Sequence, residues 1–343
     1  MNNQDHAKHN ALPVGKLPAE LLARLLSKAP VQDSRLILGP GVGLDCAVID
    51  YGENFLVFKS DPITFASDQI GWYAVQVNCN DIATTGATPR WFLATVLLPE
   101  RGATARMAEE ILTQVFDACR EIGVAVIGGH TEITYGIERP ILVATMVGEV
   151  ARENLVTPRG AAPGDRILLS KGVPIEATSI LARELPGRLE GALDETELRQ
   201  AERFLYEPGI SVLREARLAV SAGQVNAMHD PTEGGLFTAL WELAEASGRT
   251  LWVDLYAVPV PPISNKICQA LGIEPLAAIA SGALLLTASP PEAEMIQKAW
   301  ENAGITSSVI GGVEQGPVAV WEVNKEGRQL LRRPQRDEIA KLF

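Results

Sequence analysis

Residues 71–89, GWYAVQVNCNDIATTGATP, have the spacing of an α-helix with polar residues in its middle. Val75, Cys79 and Ile82 recur at i, i+4 and i+7 and predict one apolar face. The glycine and the proline near the end of the segment predict where the helix stops. The rest of the chain is best interpreted around this helix, because its polar residues are unusual for such an element.

Three polar residues, Asn78, Asn80 and Asp81, lie in the middle of this helix. Such side chains compete with the backbone for hydrogen bonds and lower helix propensity, so an ordinary surface helix has little reason to carry them. A carboxylate flanked by carboxamides suits a divalent cation, which prefers oxygen ligands. We therefore predict a ligand site here. A polar patch that faces solvent is the alternative interpretation.

Aspartates recur in similar settings elsewhere. Asp45 follows a glycine-rich turn, Asp61 ends the apolar run FLVFKSD, and Asp230 follows the run AMH. Pro231 holds Asp230 extended, and Thr232 is predicted to cap a helix that starts at the next residue. Each aspartate alone is explained as a cap or turn residue, but four of them beside glycine turns favour a metal and phosphate site.

Composition limits the function classes. The 343 residues predict two domains, with 47% hydrophobic and 21% charged residues as in a globular protein. There is no basic leader segment and no run of 18 apolar residues, so we expect a cytoplasmic protein without membrane insertion. The net charge of −12 disfavours nucleic-acid binding. A nucleotide would need a cation between itself and the protein.

Cysteine chemistry is not expected. Cys46, Cys79, Cys119 and Cys268 form no C-x-x-C pair, which excludes a zinc or disulfide framework built on such pairs. All four lie in apolar surroundings and are predicted to be small core residues. Cys79 lies between two carboxamides, but a helical rotation of about 100° per residue turns it away from them.

Both halves of the chain are predicted to mix helices and strands. We expect a flexible segment over 1–16, an N-terminal domain over 17–155 and a C-terminal domain over 156–343. Helices are predicted at 17–29, 71–85, 103–122, 174–185, 193–206, 210–222, 233–247, 262–271 and 290–303. Strands are predicted at 35–39, 47–50, 54–60, 91–99, 124–127, 139–150, 166–172, 251–255, 281–289, 305–313 and 317–323.

A glycine pair after one predicted strand is a candidate anion site. Gly128 and Gly129 are predicted to form a turn whose amides approach an anion, and His130 and Thr131 follow them. A plain tight turn is the alternative. Neither a Walker loop nor a dinucleotide fingerprint occurs, so nucleotide binding would use another architecture.

Six motifs taken together resemble the aminoimidazole-ribonucleotide (AIR) synthetase superfamily, which includes PurM, HypE, thiamine-monophosphate kinase and selenophosphate synthetase. They are GLDCAV (43–48), KSDPITF (59–65), NCNDIATTGATP (78–89), GGHTEIT (128–134), GDRILLSKG (164–172) and HDPTEGGL (229–236). The combination is specific, although no single motif is. The closest resemblance is to HypE-like, AIR-synthase-related proteins.

The resemblance implies an α+β fold of two mixed α/β domains of PurM-like type, with the N-terminal domains of a homodimer pairing into a β-barrel. It implies ATP and Mg²⁺ as cofactors and phosphoryl transfer to a substrate oxygen of amide, carbamoyl or phosphate type, in a setting of hydrogenase maturation. Metal or phosphate-side positions are Asp45, Asp61, Asp81 and Asp230. Nucleotide or phosphate contacts are Asp61, Asn80, Gly128, Gly129, His130, Thr131 and Lys171. Catalytic roles fall to Asp81, His130 and Asp230.

The sequence also departs from HypE. It ends RDEIAKLF, with no cysteine after Cys268, so chemistry on a cysteine-bearing tail is not expected. The second substrate, a small molecule or a protein-borne group, stays unidentified. Two alternatives to a HypE-like enzyme remain: an ATP-binding maturation or regulatory partner without turnover, and a small-molecule kinase of the thiamine-monophosphate-kinase type.

Overall fold

The computed structural model describes residue 12, residues 15–63, residue 66 and residues 68–343. The expectation that 1–16 is flexible concerns a segment that, apart from Leu12, Gly15 and Lys16, lies outside the described residues. No helix in the described part of the chain is long and apolar enough to cross a membrane.

The first half of the chain builds a six-stranded sheet with the order β1-β2-β3-β6-β4-β5. Only the β4–β5 pair is parallel. The strands are β1 (Leu36–Leu38), β2 (Ala47–Tyr51), β3 (Asn54–Ile63), β4 (Thr88–Pro99), β5 (Ala125–Thr134) and β6 (Ile141–Ala151). The helices are α1 (Ala19–Leu26), α2 (Ile70–Thr84) and α3 (Ala105–Ile122). Helices α2 and α3 pack on the sheet and cover one of its faces.

The helix that the sequence analysis centred on, α2, is buried on every side. Every residue of α2 except Trp72 is buried, including Asn78, Asn80 and Asp81. Strands β3 and β6 pack against the helix from one side, and α6 (Leu213–Ala222) of the second half packs against it from another. The alternative of a polar patch facing solvent is therefore wrong.

The predicted Gly-Gly turn is also wrong, because strand β5 continues through it. Phe92 pairs with Val126 and Leu93 with Gly128, so one extra residue forms a bulge in β5. Gly129 has φ +150°, and a β-carbon there would lie 2.0 Å from the Ala94 carbonyl oxygen. The glycine thus lets two strands approach closely, which a turn prediction from sequence alone misses.

The second half builds a seven-stranded mixed sheet with the order β13-β12-β9-β11-β7-β10-β8. Its strands are β7 (Arg166–Ser170), β8 (Ala227–His229), β9 (Thr250–Val253), β10 (Leu285–Ala288), β11 (Ser307–Glu314), β12 (Ala319–Asn324) and β13 (Gly327–Leu330). Its further helices are α4 (Ile175–Glu184), α5 (Glu195–Glu202), α7 (Gly235–Ser247), α8 (Pro262–Leu271) and α9 (Pro290–Asn302). The α+β class with two mixed α/β units is thereby confirmed.

Two hydrophobic clusters hold the molecule together. The larger cluster runs from the first sheet and α2 into the second half, where it includes Leu168, Leu286 and Trp300. The smaller cluster fills the space between α7 and the other face of the second sheet. Because one hydrophobic core spans both halves of the chain, it holds side chains of the two halves in fixed positions relative to one another.

The predicted helix cap at Thr232 is wrong. The helix after Asp230 begins at Gly235, and Thr232 does not cap it.

Candidate functional site

A buried lysine lies at the centre of three of the predicted aspartates. Lys59 and Asp61 are two residues apart on β3 and therefore point to the same face of the sheet. The Lys59 ammonium lies 3.0 Å from Asp61 Oδ2, 3.2 Å from Asp81 Oδ2 and 3.9 Å from Asp45 Oδ1. The predicted convergence of these aspartates thus exists, but around a cation supplied by the chain itself.

The fourth aspartate joins this cluster through a histidine. His229 Nδ1 lies 3.7 Å from Asp45 Oδ2 and 4.0 Å from Asp230 Oδ1, and its Nε2 lies 3.0 Å from Glu242 Oε2. Glu242 also lies 3.4 Å from the Lys16 ammonium. We call Asp45, Lys59, Asp61, Asp81, His229 and Asp230 the acidic cluster.

A glycine explains how Asp45 reaches the second half of the chain. Gly43 has φ +72°, and a β-carbon there would lie 2.8 Å from the Glu242 carbonyl oxygen on α7. Only glycine allows this backbone conformation and this approach together. The turn before β2 can therefore lie directly against α7, beside His229.

The electrostatics follow from burial and close charges. Burial lowers the pKa of Lys59, but Asp81, Asp45 and Asp61 outweigh this effect and raise it well above its usual value. Burial raises the pKa values of Asp81 and Asp230 well above their usual range. Burial also opposes ionisation of Asp45, yet His229 and Lys59 lower its pKa to about 2. A further cation would therefore favour the ionised forms of Asp81 and Asp230.

Oxygen atoms of the cluster are free to accept a ligand. Both carboxylate oxygens of Asp230 are buried without a hydrogen bond from any described residue, and Asp81 Oδ2 has the Lys59 ammonium nearby but no hydrogen bond. Among the described residues, no group of three or more His, Cys, Asp or Glu side chains is arranged to hold a metal ion. Mg²⁺ commonly takes one or two carboxylates plus substrate phosphates, so the donor set fits it.

The two asparagines of α2 have structural partners. The Asn78 side chain accepts a hydrogen bond from the Asp61 backbone N–H at 3.1 Å. The Asn80 side chain donates to the Ile210 carbonyl and accepts from the Val212 N–H, both at 2.8 Å. Asn80, which was predicted to contact nucleotide, thus attaches α2 to the second half of the chain. The hydrogen bonds of Asn78 and Asn80 explain why polar residues occur inside this helix.

Residues Gly128, Gly129, His130 and Thr131 are not brought to the acidic cluster within one copy of the chain. Gly129 pairs with Ala94, Ala94 with Ala144, and Ala144 with Asp61. Three strand spacings of about 4.8 Å place this row about 14 Å from β3. The His130 ring nitrogen Nε2 instead lies 3.0 Å from Glu132 Oε2 on the exposed edge strand.

Lys171 is also engaged elsewhere. Its ammonium donates to the Gly209 and Ser211 carbonyls at 3.0 and 2.7 Å and lies 3.0 Å from Glu215 Oε1. Burial lowers the pKa of Lys171 below its usual value, and the Glu215 carboxylate offsets only part of this effect. The structure therefore places Lys171 in a closed internal contact rather than beside the aspartates.

Cavities open on two sides of the acidic cluster. A cavity of about 370 Å³ is lined by Asp45, Lys59 and the glycine-rich turn that begins at Gly39. A second cavity of about 420 Å³ is lined by Asp61 and by residues of the second half. One cavity thus borders Asp45 and Lys59, and the other borders Asp61.

The cysteines are buried and unpaired, as predicted. Burial raises the pKa of Cys79 to about 12, and that of Cys46 well above its usual value. The Cys46 thiol donates to the Asp81 carbonyl at 3.2 Å. High thiol pKa values mean little thiolate at neutral pH, so none of these groups is a ready nucleophile.

Sequence reasoning missed Lys59, His229 and Glu242. A signal existed for two of them, since Lys59 stands two residues before Asp61 on one strand and His229 directly precedes Asp230. Glu242 lies on a helix with ordinary amphipathic spacing, and only its contact with His229 distinguishes it.

Comparison with known proteins places this chain in a family. Residues 43–150 match the N-terminal domain of AIR synthase related proteins, and residues 162–323 match their C-terminal domain. A Methanocaldococcus jannaschii protein whose name assigns it provisionally to hydrogenase expression and formation is 28% identical over 96% of this chain and 97% of its own. The carbamoyl dehydratase HypE of Azotobacter vinelandii is 30% identical over 74% of this chain and 72% of its own.

A solved structure shares the fold. The crystal structure of the hydrogenase maturation protein HypE in complex with ATP has a TM-score of 0.70 and 23% sequence identity, and the match covers 93% of this chain and 91% of that one. At this identity the likeness concerns the fold. With both halves of the chain matched in order, the protein belongs to the AIR synthase related family.

Proposed function

We propose that the protein is an ATP- and Mg²⁺-dependent enzyme that activates an oxygen of a second substrate by phosphoryl transfer. The observation that carries this proposal is the acidic cluster: carboxylates around the buried Lys59, with oxygens on Asp81 and Asp230 that accept no hydrogen bond from a described residue, and two cavities that border the cluster. Phosphoryl transfer needs mainly positioning and neutralisation of charge, and this arrangement suits both.

The chemistry that Mg²⁺ would supply when bound with ATP is neutralisation of the phosphate charge. Asp81 and Asp230 would hold the ion, because their buried oxygens lack hydrogen bonds. The Lys59 ammonium holds Asp45 and Asp61 near these two carboxylates. Lys59 itself has donors that can turn from a carboxylate to a phosphate oxygen as the nucleotide enters.

A homodimer is part of this proposal. Residues 125–133 of the edge strand β5 are exposed, and Ile127 and Ile133 are 57% and 66% exposed. The sheet face away from α2 and α3 carries half-buried Leu56, Trp91 and Val143. An apolar face and a free strand edge favour pairing with a second copy, which would enclose both in a barrel. A nucleotide site near that interface would give the GGHT segment of β5 its predicted role.

Hydrogenase maturation is the setting that we propose for this activity. The M. jannaschii relative is named for hydrogenase expression and formation, and the structural neighbour is a hydrogenase maturation protein bound to ATP. The relative from A. vinelandii is a carbamoyl dehydratase, so an amide or carbamoyl oxygen is the substrate group to test first.

The test measures ATP binding and ADP release separately. The purified protein should bind ATP in the presence of Mg²⁺ and release ADP when extract of the source cells supplies the second substrate. Chelation of Mg²⁺ should abolish both. Binding without any ADP release under either condition would leave the alternative, a nucleotide-binding partner protein, and would reject the enzyme.

A further inference from the structure

The cavity of about 420 Å³ beside Asp61 has properties that the acidic cluster does not explain. Asp61 and Val77 line it from the first half of the chain, and Ile180, Ile279 and Ser281 line it from the second. Its volume is within the range of small-molecule sites. Because it touches Asp61, a molecule held there would lie next to the place where phosphoryl transfer is proposed.

One wall of this cavity holds a buried carboxylate without a counter-ion. Glu176 is 4% exposed, and its Oε2 accepts a hydrogen bond from the Ser281 N–H at 3.2 Å. Burial, together with the nearby carboxylates of Asp337 and Glu233, raises the pKa of Glu176 to about 7, although hydrogen bonding from Ser281 opposes this shift. No Lys, Arg or His of the described residues forms an ion pair with it. A buried acid of this kind is costly unless something pairs with it.

A second polar group at the same wall lacks a partner. Ser281 is 1% exposed, and its hydroxyl makes no well-aligned hydrogen bond with any described residue. The hydroxyl lies close enough to Glu176 to lower the pKa of that carboxyl. Buried hydroxyl groups normally have a hydrogen-bond partner. The unpartnered hydroxyl and the unpaired carboxylate line the same cavity.

We propose that this cavity binds the second substrate and that the substrate is a small molecule that carries, besides the oxygen to be phosphorylated, an apolar body and a cationic nitrogen. An ammonium or amidinium group donates to Glu176 and to the Ser281 oxygen, and the apolar body packs on Ile180 and Ile279.

Lys16 and Arg139 also line the cavity, but Lys16 lies 3.4 Å from Glu242 and Arg139 has an interaction of its own. At the wall that Glu176 forms, an anionic group would be repelled by Glu176 and Glu233. The proposal rests on the function proposed above for its link to phosphoryl transfer, whereas the preference for a cation stands on the cavity alone.

The test uses three probes that share a phenyl ring on a two-carbon chain, without nucleotide: 2-phenylethylammonium, 3-phenylpropanamide and 3-phenylpropanoate. Binding to the full chain is followed by NMR titration at about pH 8, where Glu176 is largely ionised. We expect the ammonium probe to bind about tenfold more tightly than the amide, and the carboxylate to bind least. Equal affinities, or a preference for the amide, would overturn the proposal.

Two variants localise the binding. Glu176→Gln should reduce the ammonium affinity about tenfold and bring it level with the amide affinity. Ser281→Ala removes a hydroxyl beside Glu176, and it should keep the protein folded while it weakens the ammonium probe several-fold. Glu109→Gln, a change of the same kind at an exposed residue of α3, is the matched control and should change nothing.

The outcomes separate the two proposals. If both cavity variants bind the ammonium probe like the wild type, the cavity assignment is wrong even when ATP is turned over. If the ammonium preference depends on Glu176 but ATP is never turned over, the cavity assignment stands and the enzyme proposal fails.

Discussion

The Lys59 ammonium lies 3.2 Å from Asp81 Oδ2, and the two side chains are only 9% and 3% exposed. One comes from the middle of β3 and the other from α2, so the pair joins the sheet to the helix behind it. Asp61 and Asp45 lie 3.0 and 3.9 Å from the same ammonium. The Lys59 ammonium thus faces three carboxylates, which makes both the stability and the ligand binding of this site sensitive to its positive charge.

Lys59→Met should destabilise the fold strongly. Removing one partner of a buried ion pair typically costs about 3 kcal/mol or more, because the other charge remains buried. Urea unfolding measures the loss. Added Mg²⁺ should restore more stability to this variant than to the wild type, since the unpaired carboxylates then bind the cation. Lys298→Met, at an exposed position of α9, is the control. Equal effects of the two substitutions would contradict the central role of Lys59.

Asp81→Asn should remove Mg²⁺-dependent nucleotide binding while the protein still folds. The carboxamide has the size of the carboxylate but lacks the charge that a cation needs, and Lys59 keeps Asp61 and Asp45 as partners. ATP titration with Mg²⁺ measures the effect. Asp117→Asn, at an exposed carboxylate on α3, should bind as the wild type does. An unchanged titration for the Asp81 variant would exclude a metal role for Asp81.

The protein should be a homodimer that pairs through the first sheet. We expect light scattering at micromolar concentration to give twice the chain mass of 36.8 kDa. Ile127→Arg places a charge on the exposed edge strand β5 and should shift the mass towards the monomer. Tyr256→Arg, at a residue that is 88% exposed in the second half, should leave it unchanged. A monomeric wild type would reject this arrangement.

Glu176 predicts a specific pH dependence of stability. Its pKa rises from 4.5 to about 7 in the folded protein, so between these values the folded state keeps a proton that the unfolded state has released. The contribution of Glu176 to the free energy of unfolding therefore falls as the pH rises through this window. The glutamine of the Glu176→Gln variant cannot titrate. The free energy of unfolding of this variant should therefore rise by about 3 kcal/mol relative to that of the wild type between about pH 4 and about pH 8. Parallel pH profiles from urea unfolding would contradict the shift.

The proposed reaction needs no cysteine. Cys79→Ala should cost about 1 kcal/mol of stability, as expected for a small truncation in the core, and leave Mg²⁺-dependent ATP turnover measurable. The thiol is fully buried on α2, and burial raises its pKa to about 12. Complete loss of turnover in a variant that still folds and binds ATP would show that the mechanism is wrong.

Much of the fold could be predicted from the sequence, because its elements have strong local signals. The spacing of apolar residues located α3 and α9 to within a few residues, and helix α8 was predicted with its observed bounds, Pro262–Leu271. Strands that follow glycine turns were found in the same way. The errors lie where a contact between distant residues decides the conformation, as at Gly129, where the Ala94 carbonyl explains the glycine.

By itself, the sequence determined the α+β class and the family resemblance, because motif order and hydrophobic period are local properties of the chain. Only the tertiary structure decided what each polar residue does. Burial and packing between the halves gave Asn80 backbone partners, placed Lys59 among the acids and left Glu176 with no ion-pair partner among the residues that the structure describes. These roles depend on distances between residues far apart in the chain, and residue spacing carries no information about such distances.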